Sequence, residues 1–396
     1  KTEEVLDAAA DRVVPRCAVA GQCGGCSLQH MQTEAQIEFK QGVLLEQLKH
    51  TANVAREEFR LLPYLCSDTF HYRRKARLAV RIVHKKGGAL VGFREKYSSF
   101  ITDMNDCKVL TEEVAELIPA LRSTITGLQS CHHIPQIEVA VGEKSEVSTE
   151  GLSNNAVALI IRHLQPLPAD DLLALTTLAT ARGFDLYLQP SGVDSVHKIA
   201  PDDGVNRLQY FLPEYGLTMG FHPMDFTQIN AGINRLIIPQ ALGLLELDED
   251  DVVLDLFCGL GNFTLPAATL SKRVVGIEGS EEMVSRGAEN ARRNGIENVE
   301  FYAANLCDSL ADKEWMSGNY SKIILDPPRS GAIEIIQQIA KLGAARIVYI
   351  SCNPATLARD TAEFLRAGYK LKAAGVMDMF PHTTHVESMA VFERVH

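Results

Sequence analysis

Apolar positions fall into three textures along this 396-residue chain. In residues 1 to about 60, Ile37, Leu44, Leu45 and Leu48 share one face at helical spacing, which predicts a helix behind a cluster of cysteines. From about 61 to 220 the pattern shortens to alternating strands: Leu78-Ala79-Val80 with Ile82, Val91 with Phe93, Ile137 with Val139 and Val141, and Ala158 to Ile161. Gly and Asn turns such as Lys86-Gly87-Gly88 separate them, and a helix is predicted near Asp170–Arg182. From about 221 onward continuous apolar runs alternate with helical stretches, the pattern of a parallel sheet covered on both faces. Two units are therefore expected, an α+β unit over 1–220 and an α/β unit over 221–396. No internal repeat or low-complexity segment interrupts them.

The α/β part can be laid out strand by strand. Val252 to Phe257 is a buried strand running into Cys258-Gly259-Leu260-Gly261-Asn262, where glycines permit a tight turn before a helix. Val274 to Glu278 is the second strand, and Glu278 falls 19 residues after Gly259, at the offset from which an acid receives ribose hydroxyls. Val299 to Tyr302 leads to Asn305, Ile323 to Asp326 leads to Pro327-Pro328, and Ile347 to Ile350 leads to Cys352. Each strand thus delivers a polar or reactive residue to one edge, where open α/β sheets carry their chemistry. A Gly-x-Gly turn alone suits a dehydrogenase or a methyltransferase. The third glycine of the dinucleotide fingerprint is missing, and Asp-Pro-Pro is foreign to nicotinamide binding; both favour a methyl-donor sheet.

Composition changes this picture little. A hydrophobic content of 46% with 22% charged residues is that of an ordinary globular protein, and no apolar run reaches the roughly 20 residues that span a bilayer. Nine cysteines without dense pairing suggest a reducing, cytoplasmic setting in which thiols serve metals or catalysis. The net charge of −11 argues against indiscriminate nucleic-acid binding. Between residues 70 and 100, however, nine Lys/Arg (Arg73, Arg74, Lys75, Arg77, Arg81, Lys85, Lys86, Arg94, Lys96) face one acid, Glu95, and suggest a phosphate track. Phe70, Tyr72, Phe93, Tyr97 and Phe100 would offer stacking surfaces to unpaired bases.

Candidate chemistry concentrates in three places. Cys352, in Ser351-Cys352-Asn353-Pro354, would stand at the mouth of the sheet beside a helix start expected to lower its thiol pKa, with Thr356 as a possible cap. A thiol there narrows the reaction: carbon 5 of a pyrimidine attacks a sulfonium methyl only after a nucleophile adds to carbon 6. Such an addition requires a base to remove the carbon-5 proton, and Glu387, opening the last strand, fits that need. The loop Asp326-Pro327-Pro328-Arg329 lacks the second cysteine of cytosine-5 RNA methyltransferases, which favours uracil. Cys258 and Cys307 read as packing residues. Cys17, Cys23 and Cys26 form C-x5-C-x2-C among glycines, pointing to metal or iron–sulfur ligation, with Cys107 a better fourth ligand than Cys66 or Cys131. Spacing alone leaves zinc and a cluster both open.

With Phe226-Thr227-Gln228-Ile229-Asn230 and His385-Val386-Glu387-Ser388-Met389 added to these motifs, the chain resembles the RNA uridine-5 methyltransferases over nearly its whole length, most closely the bacterial branch acting on 23S ribosomal RNA. That resemblance implies a class I, Rossmann-like S-adenosylmethionine-dependent domain behind an iron–sulfur α+β domain. It implies a 4Fe–4S cluster on Cys17, Cys23, Cys26 and Cys107, a nucleophile at Cys352 and a base at Glu387. Cofactor contacts are implied at Gln228, Phe257, Asn262, Glu278, Asn305 and Asp326, with Phe226 close to the target base. The expected partner is a loop uridine of 23S rRNA, with no membrane and a monomeric state. A cytosine-5 RNA methyltransferase and the tRNA-acting uridine branch are the alternatives. Relatives of this branch open with a small RNA-binding barrel, TRAM; this chain starts near where that barrel would end, so the barrel is expected to be absent from it.

Overall fold

The apolar runs that begin at Val252, Val274, Ile323 and Ile347 become strands of one sheet in the computed structural model, which describes residues 5–146, 154–308, 310 and 312–395. The chain runs α1 (Thr33–Thr51), β1 (Arg60–Leu61), β2 (Lys75–Val83), β3 (Gly88–Gly92), α2 (Glu112–Gly127), β4 (Gln136–Glu143), β5 (Asn155–Arg162), α3 (Ala169–Arg182), β6 (Asp185–Gln189), β7 (His197–Ala200), β8 (Leu208–Leu212) and β9 (Leu217–Phe221). It continues through α4 (Ala231–Leu245), β10 (Val252–Leu256), α5 (Thr264–Ala268), β11 (Arg273–Glu278), α6 (Glu281–Arg293), β12 (Val299–Ala303), β13 (Lys322–Leu325), α7 (Ile333–Ala340), β14 (Arg346–Ser351), α8 (Pro354–Arg366), β15 (Tyr369–Met377) and β16 (Glu387–Arg394).

The large sheet has the order β1-β15-β16-β14-β13-β10-β11-β12. Strands β14, β13, β10, β11 and β12 are mutually parallel, whereas β16 runs antiparallel to both its neighbours. The order reverses between β10 and β13, which opens a crevice at their C-terminal ends. Because the parallel strands are covered on both faces, they read as unbroken apolar runs, and Val253, Leu254 and Ile323 to Leu325 are fully buried. Apolar cores fill both faces. Helix α1 contributes Ile37, Leu44 and Leu48 to one of them by packing on α8 and β15, so this early helix covers the late sheet.

A second sheet, β3-β2-β4-β5-β6-β7, carries the alternating strands of the middle region. Its only parallel pair among the described residues, β5 with β6, is joined through α3, the helix the sequence places at Asp170–Arg182. The β8–β9 hairpin and α4 link the two sheets. Buried Glu143 at the end of β4 accepts from the Phe211 amide at 3.0 Å and from Arg235 of α4 at 2.7 Å, and pairs with Arg74 at 2.8 Å. No helix of the described residues is long and apolar enough to cross a membrane.

Candidate active site

At the crevice between β10 and β13 lies a cleft of about 1140 Å³. Its walls bring together Gln228, Phe257, Glu278, Asp326, Cys352 and Glu387, six of the eight residues that the sequence nominates for catalysis and cofactor contact. The two others stand elsewhere. Asn262 exchanges amide hydrogen bonds with Asn234 at 2.9 and 3.0 Å and accepts from the Tyr210 hydroxyl at 2.8 Å. Asn305 is exposed after β12, its side-chain oxygen accepting from the Cys307 amide.

The turn after β10 explains part of this geometry. Phe257 adopts a left-handed backbone (φ +65°), as do Gly259 (φ +56°) and Gly261 (φ +95°). That conformation costs a phenylalanine about 1–3 kcal/mol, and such strain collects at ligand-binding turns. Amides of Gly259 and Ser280 each donate to Glu278 at 3.1 Å, fixing the carboxylate at the end of β11. Ser280 also caps α6 by accepting from the Met283 amide, with Glu281 and Glu282 in its positive first turn. Cys258 is buried; a Cβ built on Gly276 would come within 2.9 Å of its sulfur, so that glycine makes room for a packing thiol. Cys307, read from sequence as packing, is instead exposed.

Strand register sets the catalytic pair. In the antiparallel ladder of β14 and β16, Ser351 is the last paired residue and faces Ser388. Just past that pair, Cys352 leaves β14 in a bend and Glu387 opens β16; both side chains line the cleft, and the Glu387 carboxylate acts on the Cys352 thiol. The Cys352 turn is braced from three sides. Asn353 caps α8 by accepting from the Ala355 amide at 3.2 Å, while its own side-chain amide donates to the Arg329 carbonyl of the Asp-Pro-Pro-Arg loop at 3.2 Å. Ser388 donates to the Ser351 carbonyl at 3.4 Å. The cap is thus Asn353, not Thr356, whose hydroxyl donates to the Asn353 carbonyl.

Electrostatics at this mouth run against a preformed thiolate. Burial pushes the Cys352 thiol up to about 11, and the neighbouring carboxylates of Glu387 and Asp326 add to it, while Arg329 opposes. The helix start therefore does not leave this thiol below its ordinary range; burial and two acids outweigh it. Glu387 is pushed up to about 8 by burial and then by Asp326, with Arg329 and Lys40 in opposition. Asp326 is raised to about 7 by burial alone.

Three contributors escaped the sequence reading. Asp255, fully buried in β10, accepts from the Thr264 hydroxyl at 2.6 Å and is raised to about 7, mainly by burial. A lone acid inside Val-Val-Leu-Asp-Leu-Phe was its signal. Arg329 is the cation beside both catalytic candidates, and it stood in the quoted Asp-Pro-Pro-Arg. Lys40 lies on the apolar face of α1 and is 1% exposed. The proposed phosphate track is mixed: five of its nine cations (Arg77, Arg81, Lys85, Lys86 and Arg94) are exposed, and several of the nine have partners within the protein. Arg74 is paired with Glu143, Arg77 with Glu138 and Lys86 with Asp103. Lys75 donates to the carbonyls of Pro223 and Asp225, and Lys96 to that of Ala20. Arg81, Lys85 and Arg94 remain exposed, together with Tyr97 and Phe100; Tyr72 is buried.

Away from the cleft, Cys17, Cys23, Cys26 and Cys107 line one small cavity together with Val19, Phe93, Met104 and Val109. Burial raises the thiols of Cys17 and Cys26, and pushes Cys107 up to about 12 against hydrogen bonds from the Leu110 and Val109 backbone. Among the described residues no group of three or more His, Cys, Asp or Glu is drawn together as for a single metal ion.

Comparison with known proteins bears on the family and the fold. A family model described as tRNA (uracil-5-)-methyltransferase matches residues 32–395. A 23S rRNA (uracil(1939)-C(5))-methyltransferase RlmD of Alcanivorax borkumensis is 51% identical over 395 residues, covering 100% of this chain and 86% of the relative. The protein of the same description from Alkalilimnicola ehrlichii is 51% identical over 392 residues, with 99% and 85% covered. Among solved structures, the Pyrococcus abyssi tRNA (uracil-54, C5)-methyltransferase in complex with S-adenosyl-L-homocysteine superposes with a TM-score of 0.71 at 22% identity, covering 98% of this chain and 88% of its own, a likeness of fold. With a match running from the first helix to the last strand, this chain belongs to the tRNA (uracil-5-)-methyltransferase family.

Proposed function

We propose that this protein transfers a methyl group from S-adenosylmethionine to carbon 5 of a uracil in 23S ribosomal RNA, the activity named for its half-identical relatives. The observation that carries the reading is a thiol just past β14 and a carboxyl at the start of β16 that line one cleft with Glu278 and Asp326. S-adenosylmethionine supplies an electrophilic methyl on a cationic sulfur, and Gln228, Phe257, Glu278 and Asp326 would hold it. A target uracil swung out of its RNA loop would enter past Phe226, which is 71% exposed at the cleft. The Cys352 thiolate would bond to carbon 6, and carbon 5, made nucleophilic, would take the methyl as its bond to the donor sulfur breaks, leaving S-adenosylhomocysteine. The Glu387 carboxylate then takes the carbon-5 proton, the carbon 5–carbon 6 double bond reforms and Cys352 leaves as thiolate.

A uracil rather than a cytosine is supported by the absence of a second thiol in the Asp326-Pro327-Pro328-Arg329 loop. For the cysteine cavity we favour a 4Fe–4S cluster held by Cys17, Cys23, Cys26 and Cys107. Backbone N–H groups directed at sulfurs suit thiolates, and a cuboidal cluster takes its ligands from around a wider cage than a single ion does. Cys352→Ala should abolish methylation while keeping cofactor affinity. Glu387→Gln should accumulate a methylated RNA–protein adduct on a denaturing gel. Normal turnover in either variant refutes the assignment. For the cluster, Cys26→Ser should purify without iron, whereas iron content equal to that of the unaltered protein excludes this ligand set.

A further inference from the structure

The connection from β15 to β16, residues 378–386, delivers Glu387 to the cleft, and its anchors all lie far away in sequence. Lys40, on α1, donates to Asp378 at 2.6 Å and to the Phe380 carbonyl at 3.0 Å. Gln36, one helical turn earlier, accepts from the His382 amide at 2.8 Å, and its side-chain nitrogen meets His382 Nδ1 at 3.2 Å. The amides of Ser27 and Leu28, immediately after the cysteine triplet, both donate to the His382 carbonyl at 2.8 and 2.9 Å. Thr384 donates from its amide to the Ser27 hydroxyl, and the Tyr72 hydroxyl donates to the Pro381 carbonyl. His382 is itself in the left-handed region (φ +65°) and 4% exposed. A histidine stays in that conformation only where its surroundings over-determine it.

Lys40 and Gln36 are unusual helix residues. Both are 1% exposed on a face otherwise made of Ile37, Leu44 and Leu48, where apolar side chains would pack without a desolvation cost. Buried ion pairs contribute little net stability compared with apolar replacements, so the pair is better understood through what it positions.

We infer that Lys40 and Gln36 are positioning residues that clamp the 378–386 strap and thereby aim the Glu387 carboxylate at the carbon-5 proton. The inference rests on Glu387 being the base. It separates the steps of the reaction: addition by Cys352, held by β14 and α8, should be insensitive to the clamp, whereas proton removal should depend on it.

The test compares three variants of the full chain on a uridine-containing RNA hairpin with S-adenosylmethionine. They are Glu387→Gln, Lys40→Met, and Lys40→Met combined with Asp378→Leu. The double variant removes both buried charges, so its folding does not depend on an orphaned carboxylate. Expected are near-normal S-adenosylmethionine affinity and adduct formation in the Lys40 variants, with adduct lifetime lengthened at least about tenfold toward that of Glu387→Gln, the scale of a misplaced general base. If Glu387→Gln traps the adduct and both Lys40 variants resolve it at the normal rate, the clamp has no such role. If Glu387→Gln itself fails to trap, the assignment of the base falls and the clamp with it. Loss of S-adenosylmethionine binding in both Lys40 variants would also overturn the inference, since the contact would then serve the fold as a whole.

Discussion

Replacing Glu387 by Gln should make Cys352 more reactive while stopping turnover. The two side chains line the cleft just past the Ser351–Ser388 pair, and the carboxylate raises the thiol. The thiol stands about two units above its ordinary 9.0; burial is the largest cause and Glu387 the next, so the acid's share is on the order of one unit, or about 1.4 kcal/mol. The thiol, held near 11, should therefore fall toward about 10 once the acid is neutral, because burial and Asp326 remain. At pH 9 the Glu387 carboxyl, with its pKa near 8, is ionised and its repulsion is in force, so the thiolate fraction should rise roughly tenfold in the variant. Below about pH 7 the native acid is itself protonated, and the two proteins should converge. Iodoacetamide alkylation of Cys352, followed by peptide mapping across pH 6 to 10, reads this directly; exposed Cys66 and Cys307 serve as internal references. Rates for Cys352 that superpose in the two proteins at pH 9 would refute the electrostatic coupling and the proximity behind it.

Other outcomes follow from the same contacts. Since Glu387 keeps its proton to about pH 8 when folded but releases it near 4.5 when unfolded, its contribution is complete in acid and is lost as pH rises between those values. Glu387→Gln should then melt with the unaltered protein at pH 4 and above it at pH 9, as calorimetry would show. Single-turnover resolution of the RNA adduct should accelerate with pH up to about 8 and level off beyond, because the carboxylate is the form that accepts the proton; a flat profile contradicts that assignment. Glu143→Ala should cost about 3–5 kcal/mol in urea unfolding by leaving Arg74 and Arg235 facing each other across a buried gap, and a loss below about 1 kcal/mol would show that the linkage between the sheets does not depend on it.

Much of the α/β sheet was legible because its strands are buried on both faces and end in chemistry. Val252 to Phe257, Val274 to Glu278, Ile323 to Asp326 and Ile347 to Cys352 announce both strand and edge residue in one run. What stayed hidden depends on pairs distant in sequence. Lys40 meets Asp378 across 338 residues, and no local pattern announces that contact. The basic run from Arg73 to Lys96 meets the same limit: Arg74, Lys75 and Lys96 are engaged by Glu143 and by the carbonyls of residues 20, 223 and 225 from other elements, while Arg77, Arg81, Lys85, Lys86 and Arg94 stay exposed. The thiol of Cys352 shows the same limit. A helix start is visible in sequence, whereas burial and the neighbouring acids that outweigh it are not.

The reversed strand β16 gives the proposed reaction its asymmetry. A parallel strand at this position would carry an acid on its C-terminal loop, beside the positive start of a crossover helix that stabilises the ionised form. Running antiparallel, β16 instead brings its first residue to the crevice, so Glu387 arrives at a strand start without a helix end to hold its charge. Burial then raises it into the range where a carboxylate accepts a proton with useful basicity. Cys352 begins the turn into α8, and Arg329 and the turn's backbone offset only part of the burial and the carboxylates that raise its thiol. One inserted strand thus places two acids in one cleft, both held toward their protonated forms by burial, with the ionised Glu387 raising the thiol further.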